Sequence, residues 1–354
     1  MKKILSVLLC VTLALSCCIL LASCGNSYAG ELNVYNWGEF ISTGEDGSMD
    51  VISEFEKKYN IKVNYTNYDT NEELYNILKS SNSSYDVIIP SDYMIAKLID
   101  EDMLAEINFD NIPNYSNIME SFKGLPFDPD NKYSVPYSWG TVAIVYNKTM
   151  VTKQFDNWDI LWDKDYANKI LMIDNSRDAM AVSMILKGID PNNLTKADID
   201  TVTQHLKEQR PLVKKYVMDM IFTEMEDNQA AVGVYYAGDI ISMMKNNENL
   251  SYVQPKDGAN RFVDSACIPK NCTNKENAEL FINFLLEPEV AKANAEYIGY
   301  STPNQAAYDL LDDETKNNEL AYPSQEYLDK CFYFSNLPDD IYDYMQEQFL
   351  RAKS

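Results

Sequence analysis

The stretch Glu31-Leu-Asn-Val-Tyr35 alternates apolar and polar residues, which is typical of a β-strand with one buried face. Apolar residues then recur at helical spacing at Ile52, Phe55 and Tyr59. The stretch Ile61-Lys-Val-Asn-Tyr65 alternates again. A strand, a helix and a second strand in this order predict a βαβ unit, and therefore a parallel sheet covered by helices.

The same succession of strands and helices continues along the chain. Helices are predicted at 71–79 and 92–99, on either side of a short buried strand at 86–90. A segment rich in Pro and Asn at 110–133 leads into extended residues at 133–146, where we expect the chain to cross between two lobes. A second α/β series follows at 169–262, and a strand at 263–269 precedes a helix that Pro288 is expected to end.

The first residues differ in character from the rest and predict an export signal. Lys2 and Lys3 are followed by the apolar run 4–21, and Leu21-Ala-Ser-Cys24 closes it with small residues before a cysteine. We therefore expect residues 1–23 to be a lipoprotein signal peptide, Cys24 to carry a lipid, and residues 24–30 to form a tether to the membrane. The alternative is an uncleaved membrane anchor, since the apolar run nearly reaches the length of a membrane span.

The remaining chain is too long for a single core. Removing the signal leaves about 330 residues, and chains of this size usually divide into two lobes. The predicted division places 31–138 and 264–305 in the first α/β lobe, and 139–263 and 306–354 in the second. These ranges contain no recognisable internal repeat.

Composition and charge exclude some classes of protein. Apolar residues make up 46% of the chain and aromatic residues 12%, so the sequence is not that of a disordered protein. The net charge of −24 makes nucleic acid a poor partner, while it is compatible with a cationic ligand. Cys267, Cys272 and Cys331 are too few for a disulfide scaffold, and we interpret them as packing residues.

Elimination argues against an enzyme. The only histidine, His205, lies in a polar helical run and is interpreted as a solvated surface residue, so no zinc-protease motif is possible. The chain lacks a Gly-x-Ser-x-Gly elbow, a Walker loop and a dinucleotide-binding Gly motif. Ser242-Met-Met-Lys245 matches one motif of penicillin-recognising enzymes, but the motifs that should accompany it are absent. We predict no catalytic residue, metal or cofactor.

Aromatic and acidic residues instead gather at predicted strand ends, where a cleft between two lobes would lie. They are Trp37, Glu39, Ser91, Tyr93, Asp174, Asp178, Tyr235, Tyr236, Phe262 and Asp264. Carboxylates pair with ammonium groups, and aromatic faces cover methylene groups while attracting cations by about 0.5–2 kcal/mol per contact. This mixture suits a flexible aliphatic polyamine, although each residue taken alone has an ordinary explanation, such as Asp178 capping a helix.

Several stretches resemble the bacterial spermidine/putrescine-binding proteins of ATP-driven importers. They are Val34-Tyr-Asn-Trp-Gly-Glu39, Asp86-Val-Ile-Ile-Pro-Ser91, Pro126-Phe-Asp-Pro-Asp130, Val135-Pro-Tyr-Ser-Trp-Gly140, Val263-Asp-Ser-Ala266 and Ile298-Gly-Tyr-Ser-Thr-Pro-Asn304. The resemblance covers nearly all of the exported chain. It implies a two-lobe type II periplasmic-binding-protein fold, one polyamine in the cleft, a permease of an ABC importer as partner, and a monomer.

The resemblance also assigns the ligand-binding positions. Trp37, Tyr236 and Phe262 would form walls of an aromatic box flanked by Tyr93 and Tyr300, and Asp264 would hold an amine. Further contacts would come from Glu39, Ser91, Asn175, Asp178 and Asp239. Asn175 stands where the family usually has Asp, Tyr236 and Phe262 where it has Trp, and Phe334 near an expected Gln. Phe262 and Asp239 look more like putrescine-preferring members, so the length of the ligand stays open.

Three other functions remain as alternatives. Ferric-ion-binding proteins of the same fold coordinate iron through adjacent tyrosines, as Tyr235 and Tyr236 would do. Neighbouring side chains of a strand point to opposite faces, so both would reach one ion only at a strand end. An envelope enzyme acting through Ser242 and a surface adhesin without a small ligand are the other two.

Overall fold

The strand, helix and strand predicted near the start of the chain are present in the structure, a computed structural model that describes residues 28–38, 40–80 and 84–354. The strands are β1 (Gly30–Trp37), β2 (Ile61–Tyr68), β3 (Val87–Ile88), β4 (Ser134–Asn147), β5 (Ile170–Ile173), β6 (Val213–Val217), β7 (Val232–Tyr236), β8 (Leu250–Val253) and β9 (Arg261–Cys267). The α-helices are α1 (Val51–Tyr59), α2 (Asn71–Ser80), α3 (Asp92–Asp100), α4 (Ser176–Lys187), α5 (Lys196–Gln209), α6 (Met220–Glu226), α7 (Ala237–Asn246), α8 (Lys275–Leu285), α9 (Pro288–Ile298), α10 (Gln305–Leu310), α11 (Asp313–Lys316), α12 (Gln325–Leu328) and α13 (Asp339–Lys353).

Local sequence explains the boundaries of the first unit. The side chain of Asp50 accepts a hydrogen bond from the backbone N–H of Ser53 at 2.9 Å and so caps the start of α1. Asn60 ends the same helix in the left-handed conformation, with φ of 57°. Strand β2 begins at the next residue and pairs with β1 in parallel, and β1 also pairs with β3 in parallel. The predicted parallel βαβ unit is confirmed.

One sheet runs through the whole molecule in the order β2-β1-β3-β9-β4-β7-β5-β6, with β8 paired to β4. The two ends of this sheet are parallel, but β9 is antiparallel to β3 and β4, and β4 is antiparallel to β7. The parallel pairing predicted from the first strands is therefore confirmed at the ends of the sheet and does not extend to its centre. Strands β4 and β9 form the centre of the sheet. They are antiparallel to each other and to their outer neighbours β7 and β3.

Strand β4 connects two separate hydrophobic cores. Its first part, Ser134 to Thr141, pairs with β9, whereas Val142 to Asn147 pairs with β7 and β8. The first core is built from buried residues of 32–139 and 263–298, joined by Ala181 and Phe334. The second core is built from buried residues of 142–259 and 320–352. The change of core along β4 divides the molecule into two lobes.

Side chains of the two lobes contact each other in at least two regions. In one region, Lys97 of α3 forms an ion pair with Asp339 of α13 at 2.8 Å, and Tyr342 of α13 donates a hydrogen bond to Glu72 of α2. In another region, the hydroxyl of Tyr300 donates to Asp239 of α7 at 2.8 Å. These contacts define a closed arrangement of the lobes.

The helix predicted to stop at Pro288 ends at Leu285, as expected, and Pro288 is the first residue of α9, a position that suits Pro since its missing N–H is not needed there. One sequence interpretation is corrected. His205 is not a solvated surface residue. Its ring is half-buried, stacks on Trp162 with centroids 4.3 Å apart, and shares a hydrogen bond with Ser183 at 2.8 Å.

The predicted signal peptide at 1–23, Cys24 and most of the tether lie outside the described residues. Gly30 is the first residue of β1, so the tether would enter the first lobe at the start of that strand. None of the helices in the described part of the chain combines the length and the apolar character that crossing a bilayer requires.

Gly258 allows a close backbone approach that positions the start of β9. Its φ is +83°, and a Cβ atom at this position would lie 2.1 Å from the carbonyl oxygen of Lys330. Beside it, Ala259 and Arg261 exchange backbone hydrogen bonds with Phe332 at 3.1 and 2.8 Å. The segments that carry Phe262 and Phe334 are therefore held together where only a glycine fits.

We predict that Gly258→Ala lowers the free energy of unfolding by about 3 kcal/mol, because it adds a backbone clash to a strained conformation. Gly188→Ala is the matched control: its φ is +66° but nothing lies within 4 Å of its Cβ position. The control should lose only about 1 kcal/mol. Urea unfolding of both variants measures the difference, and equal losses would contradict the close approach.

Candidate functional site

The predicted site residues lie where the lobes meet, at strand ends and helix starts. Trp37 ends β1, Ser91 precedes α3, Tyr236 ends β7, and Asp178 and Asp239 lie in the first turns of α4 and α7. This position fits the rule that ligands of α/β sheets bind beyond the carboxyl ends of strands. Glu39 lies outside the described residues.

Asp264 supplies a buried carboxylate from the first lobe. It lies in β9 with 4% of its surface exposed, and its Oδ1 accepts a hydrogen bond from the Ser91 hydroxyl at 2.7 Å. Burial raises the pKa of Asp264 to about 7, and the hydrogen bond from Ser91 opposes that rise. The carboxylate is thus held by a neutral donor in a place where its negative charge is costly.

Asp178 supplies a second buried carboxylate from the other lobe. It does not cap α4, because Asn175 does so by accepting from the backbone N–H groups of Arg177 and Asp178. Because Asn175 caps the helix, the Asp178 side chain is available for other contacts. It accepts hydrogen bonds from the Tyr236 hydroxyl and from the Asn260 amide, both at 3.0 Å. Burial raises its pKa to about 6. Asn175 therefore acts on the site by orienting the start of the helix that carries Asp178.

Asp239 supplies a third carboxylate, and its contact crosses between the lobes. It accepts a hydrogen bond from the Tyr300 hydroxyl at 2.8 Å. Burial raises the pKa of Asp239 to about 7. The ring of Tyr300 lies so close to α7 that a Cβ atom at Gly238 would be 2.3 Å from its Cδ2. The glycine before Asp239 is thus required for this contact.

Three of the predicted aromatic residues form a continuous edge-to-face row. The ring centroids of Tyr236 and Phe262 are 5.3 Å apart, and those of Phe262 and Tyr300 are 6.0 Å apart. Such edge-on contacts leave ring faces available to other groups. Trp37 lies apart from this row and packs against Tyr68 with centroids 4.6 Å apart.

Tyr93 is placed differently from the other predicted rings. It is 7% exposed, accepts a hydrogen bond from Asn71 at 3.0 Å, and donates one to Glu72 at 3.2 Å. Its ring meets the edge of Phe334, with centroids 6.4 Å apart, and lies 5.2 Å from the guanidinium carbon of Arg177. Tyr93 thus lies at a contact between the lobes as well as beside the site.

The structure does not support the iron alternative. The hydroxyl of Tyr235 donates to Asp219 at 3.2 Å, whereas that of Tyr236 donates to Asp178. Burial raises the pKa of both hydroxyls above the ordinary tyrosine value, which opposes the ionised form that binds iron. Within residues 28–38, 40–80 and 84–354, no group of His, Cys, Asp and Glu side chains is arranged to hold a metal ion.

Sequence reasoning missed Asn260 and Arg177 as members of this region. Asn260 follows no recognisable motif, and only the fold brings its amide to Asp178. Arg177 is 2% exposed and directly precedes Asp178 in the chain. Arg177 could have been noticed in the sequence because it is a charged residue directly beside the candidate carboxylate Asp178.

The arrangement is suited to binding a cation. Asp178, Asp239 and Asp264 all accept hydrogen bonds from neutral donors, and none of them forms an ion pair within the described part of the chain. Buried carboxylates that lack a cation are unfavourable, and a cationic ligand would remove that cost. The row of aromatic rings adds cation–π attraction and apolar surface.

The two-lobe α/β fold, with this site between the lobes, defines the class of solute-binding proteins. The family model described as bacterial extracellular solute-binding protein matches residues 50–323. The chain therefore belongs to this family.

Relatives are named more specifically. The spermidine/putrescine-binding periplasmic protein of Salmonella typhimurium is 34% identical over 301 residues, which cover 84% of this chain and 85% of that protein. The putrescine-binding periplasmic protein SpuD of Pseudomonas aeruginosa is 28% identical, and the match covers 100% of this chain and 99% of that protein. The solved structure of PotD from Streptococcus pneumoniae, a spermidine/putrescine substrate-binding protein, is 36% identical, with a TM-score of 0.80 over 92% of this chain and 99% of that one.

The raised pKa of Asp264 predicts how stability depends on pH. The folded pKa is about 7, and the unfolded value is about 3.9, so the folded state binds more protons between these values. The free energy of unfolding of the ligand-free protein should therefore fall as pH rises from 4 to 7. Asp264→Asn removes the titrating group. Between pH 5 and pH 8, its free energy of unfolding, measured with urea, should therefore decrease by on the order of 2 kcal/mol less than that of the wild type. Parallel losses in the two proteins would contradict this prediction.

Proposed function

We propose that this chain captures a polyamine, putrescine or spermidine, outside the cytoplasm and delivers it to the permease of an ABC importer. The observation that carries the proposal is the set formed by the buried carboxylates of Asp178 and Asp264 and the half-buried carboxylate of Asp239, each held by neutral donors. The family supports the capture of a solute, and the names of the relatives support a polyamine as that solute. We propose no catalytic step.

The chemistry of a polyamine matches each part of the site. Ammonium groups would pair with the carboxylates of Asp178 and Asp264, which come from different lobes. The methylene groups would lie against the rings of Tyr236 and Phe262, and each buried methylene contributes about 0.8 kcal/mol. One ligand thereby supplies the charge and the apolar surface that a closed site needs.

The residues nearest the third carboxylate bear on the length of the ligand. Phe262 and Asp239 stand in the pattern of putrescine-preferring members, and Tyr300 brings Asp239 to the edge of the same aromatic row. Three carboxylates around one short row of rings are compatible with either a diamine or a triamine. The affinities for putrescine and spermidine, measured side by side, therefore decide the length of the ligand.

We also propose the boundaries of the two lobes and a monomeric state. The predicted boundary at 138/139 lies within a few residues of the point where β4 passes from one core to the other. The predicted boundary at 263/264 lies near the start of β9. Phe262 is buried but belongs to neither core, which suits a residue at the junction. Closure of one lobe on the other would then complete the site in a single chain.

Binding is tested by isothermal titration of the mature protein with putrescine, cadaverine, spermidine and spermine, after unfolding and refolding to remove bound ligand. We expect at least one of these amines to bind tightly, and Asp264→Ala to weaken that binding at least tenfold because an ammonium group loses its carboxylate. Asp110→Ala, an exposed carboxylate of the same lobe, is the matched control and should bind as the wild type does. Absence of heat with all four amines would refute the polyamine assignment.

We further propose that Cys24 carries a lipid that anchors the protein to the outer face of the cytoplasmic membrane. Two lysines, the apolar run 4–21 and the small residues before Cys24 support this assignment.

The full chain, expressed with its own leader in a bacterium that processes lipoproteins, should incorporate labelled palmitate and sediment with membranes. Cys24→Ser should lose both properties, whereas Cys17→Ser, a cysteine of the same apolar run, should keep them. Labelling that survives Cys24→Ser would exclude Cys24 as the anchor.

A further inference from the structure

The last residues of the predicted tether are fixed to the first lobe. The backbone N–H of Ala29 donates to the carbonyl oxygen of Asn60 at 2.7 Å. The hydroxyl of Tyr28 donates to Glu56 at 2.8 Å. The ammonium group of Lys62 lies 5.5 Å from the centroid of the Tyr28 ring and 2.8 Å from the Glu56 carboxylate. These contacts hold the chain before β1 against the end of α1 and the start of β2.

This attachment limits how far the first lobe can lie from the proposed lipid on Cys24. Three residues, Gly25 to Ser27, separate Cys24 from Tyr28 in the sequence. A fully extended chain advances by at most about 3.6 Å per residue, so the steps from Cys24 to Tyr28 span no more than about 14 Å. The surface around Tyr28 must therefore stay within about this distance of the lipid-bearing cysteine.

The ligand site lies at the opposite end of the same lobe. Strand β1 runs from Gly30, beside the attachment, to Trp37, a residue of the candidate site. Its eight residues advance by about 3.3 Å each, so the strand is on the order of 25 Å long. Helix α1 runs back along the sheet and ends where β1 and β2 begin. We call this end of the lobe, formed by residues 28–31 and 57–62, the strand-start edge.

The charges of the strand-start edge do not by themselves attract it to lipid headgroups. Each lysine of this edge is paired with a carboxylate: Lys57 with Glu54 at 3.5 Å, Lys58 with Glu287 at 2.5 Å and Lys62 with Glu56 at 2.8 Å. Exposed ion pairs of this kind are weak, and they offset the positive charge of the lysines. A fixed orientation of the protein on the membrane would therefore come from the short tether.

We propose that the strand-start edge is the face of the protein that lies against the membrane, with the ligand site turned away from the anchor. The partner of this face is the lipid surface. The inference rests on the proposed function, because it requires the lipid on Cys24. Since the tether is attached to the first lobe alone, the second lobe can move during closure without changing the distance between the anchor and the first lobe.

Energy transfer to a dye-labelled lipid tests this orientation. The full chain, lipidated by the cell and placed in vesicles, carries a donor dye at Lys57→Cys or at Lys169→Cys, with Cys272 and Cys331 replaced by Ser. Lys57 is exposed at the strand-start edge, and Lys169 is exposed before β5, at the corresponding edge of the second lobe. Transfer from Lys57→Cys should be several-fold more efficient at both low and high salt, because the length of the chain and not charge holds this edge at the membrane.

Each outcome decides between anchoring and orientation. Equal transfer from the two positions, or stronger transfer from Lys169→Cys, in protein that sediments with the vesicles would overturn the inference and leave the anchor standing. A preference for Lys57→Cys that disappears at high salt would show that charge holds this edge, and would overturn it too. Protein that does not sediment would refute the proposed anchor on Cys24 and the inference with it. Polyamine capture is measured in solution and does not depend on any of these results.

The attachment of Tyr28 is tested without a membrane, by hydrogen exchange at the backbone amide of Ala29 in the protein without its lipid. Tyr28→Phe removes the hydroxyl that bonds to Glu56, so exchange at Ala29 should become about fivefold faster, as expected for the loss of one hydrogen bond. Tyr344→Phe is the matched control, since Tyr344 donates a similar bond to Asp200 at 2.7 Å in the second lobe. It should leave exchange at Ala29 unchanged. Equal rates in the wild type and Tyr28→Phe would show that Tyr28 does not fix the tether and would overturn the inference.

Discussion

The structure depends on a single strand that belongs to two cores. Strand β4 pairs with β9 along its first part and with β7 and β8 along its second. The change of partners happens near Gly140, whose Cβ position would lie 2.9 Å from the ring of Phe262. Because the lobes share this strand, groups at the ends of β7 and within β9 are brought together although they come from different cores.

The lobes meet at a surface with an unusual composition. An interface that only had to be stable would place apolar residues or complete ion pairs there, since buried carboxylates without partners are costly. Here Asp178, Asp239 and Asp264 are satisfied by hydroxyl and amide groups, which orient the carboxylates without cancelling their charge. The closed form thus retains an electrostatic cost that protonation removes at low pH and that a cationic ligand would remove at higher pH, which would couple ligand charge to closure.

The sequence predicted the elements more completely than the site. Alternation and helical spacing located β1, α1 and β2 because these patterns report burial over consecutive residues. The partners of Asp178 could not be read in this way, since Tyr236 and Asn260 are distant in the chain and only the β4 crossing brings them near. Even the cap of α4 was open, because Asn175 and Asp178 are both residue types that cap helices.

Arg177 shows why a list of site residues does not describe an electrostatic site. Its side chain stacks on Phe334 and Tyr93 and so helps to hold the lobes together, but its charge has the same sign as the proposed ligand. A closed cleft needs the packing and must offset the charge. That charge lowers the pKa of the neighbouring Asp178, so the affinity for cations proposed for this site depends on the balance of all buried charges around the cleft and not on the ligand contacts alone.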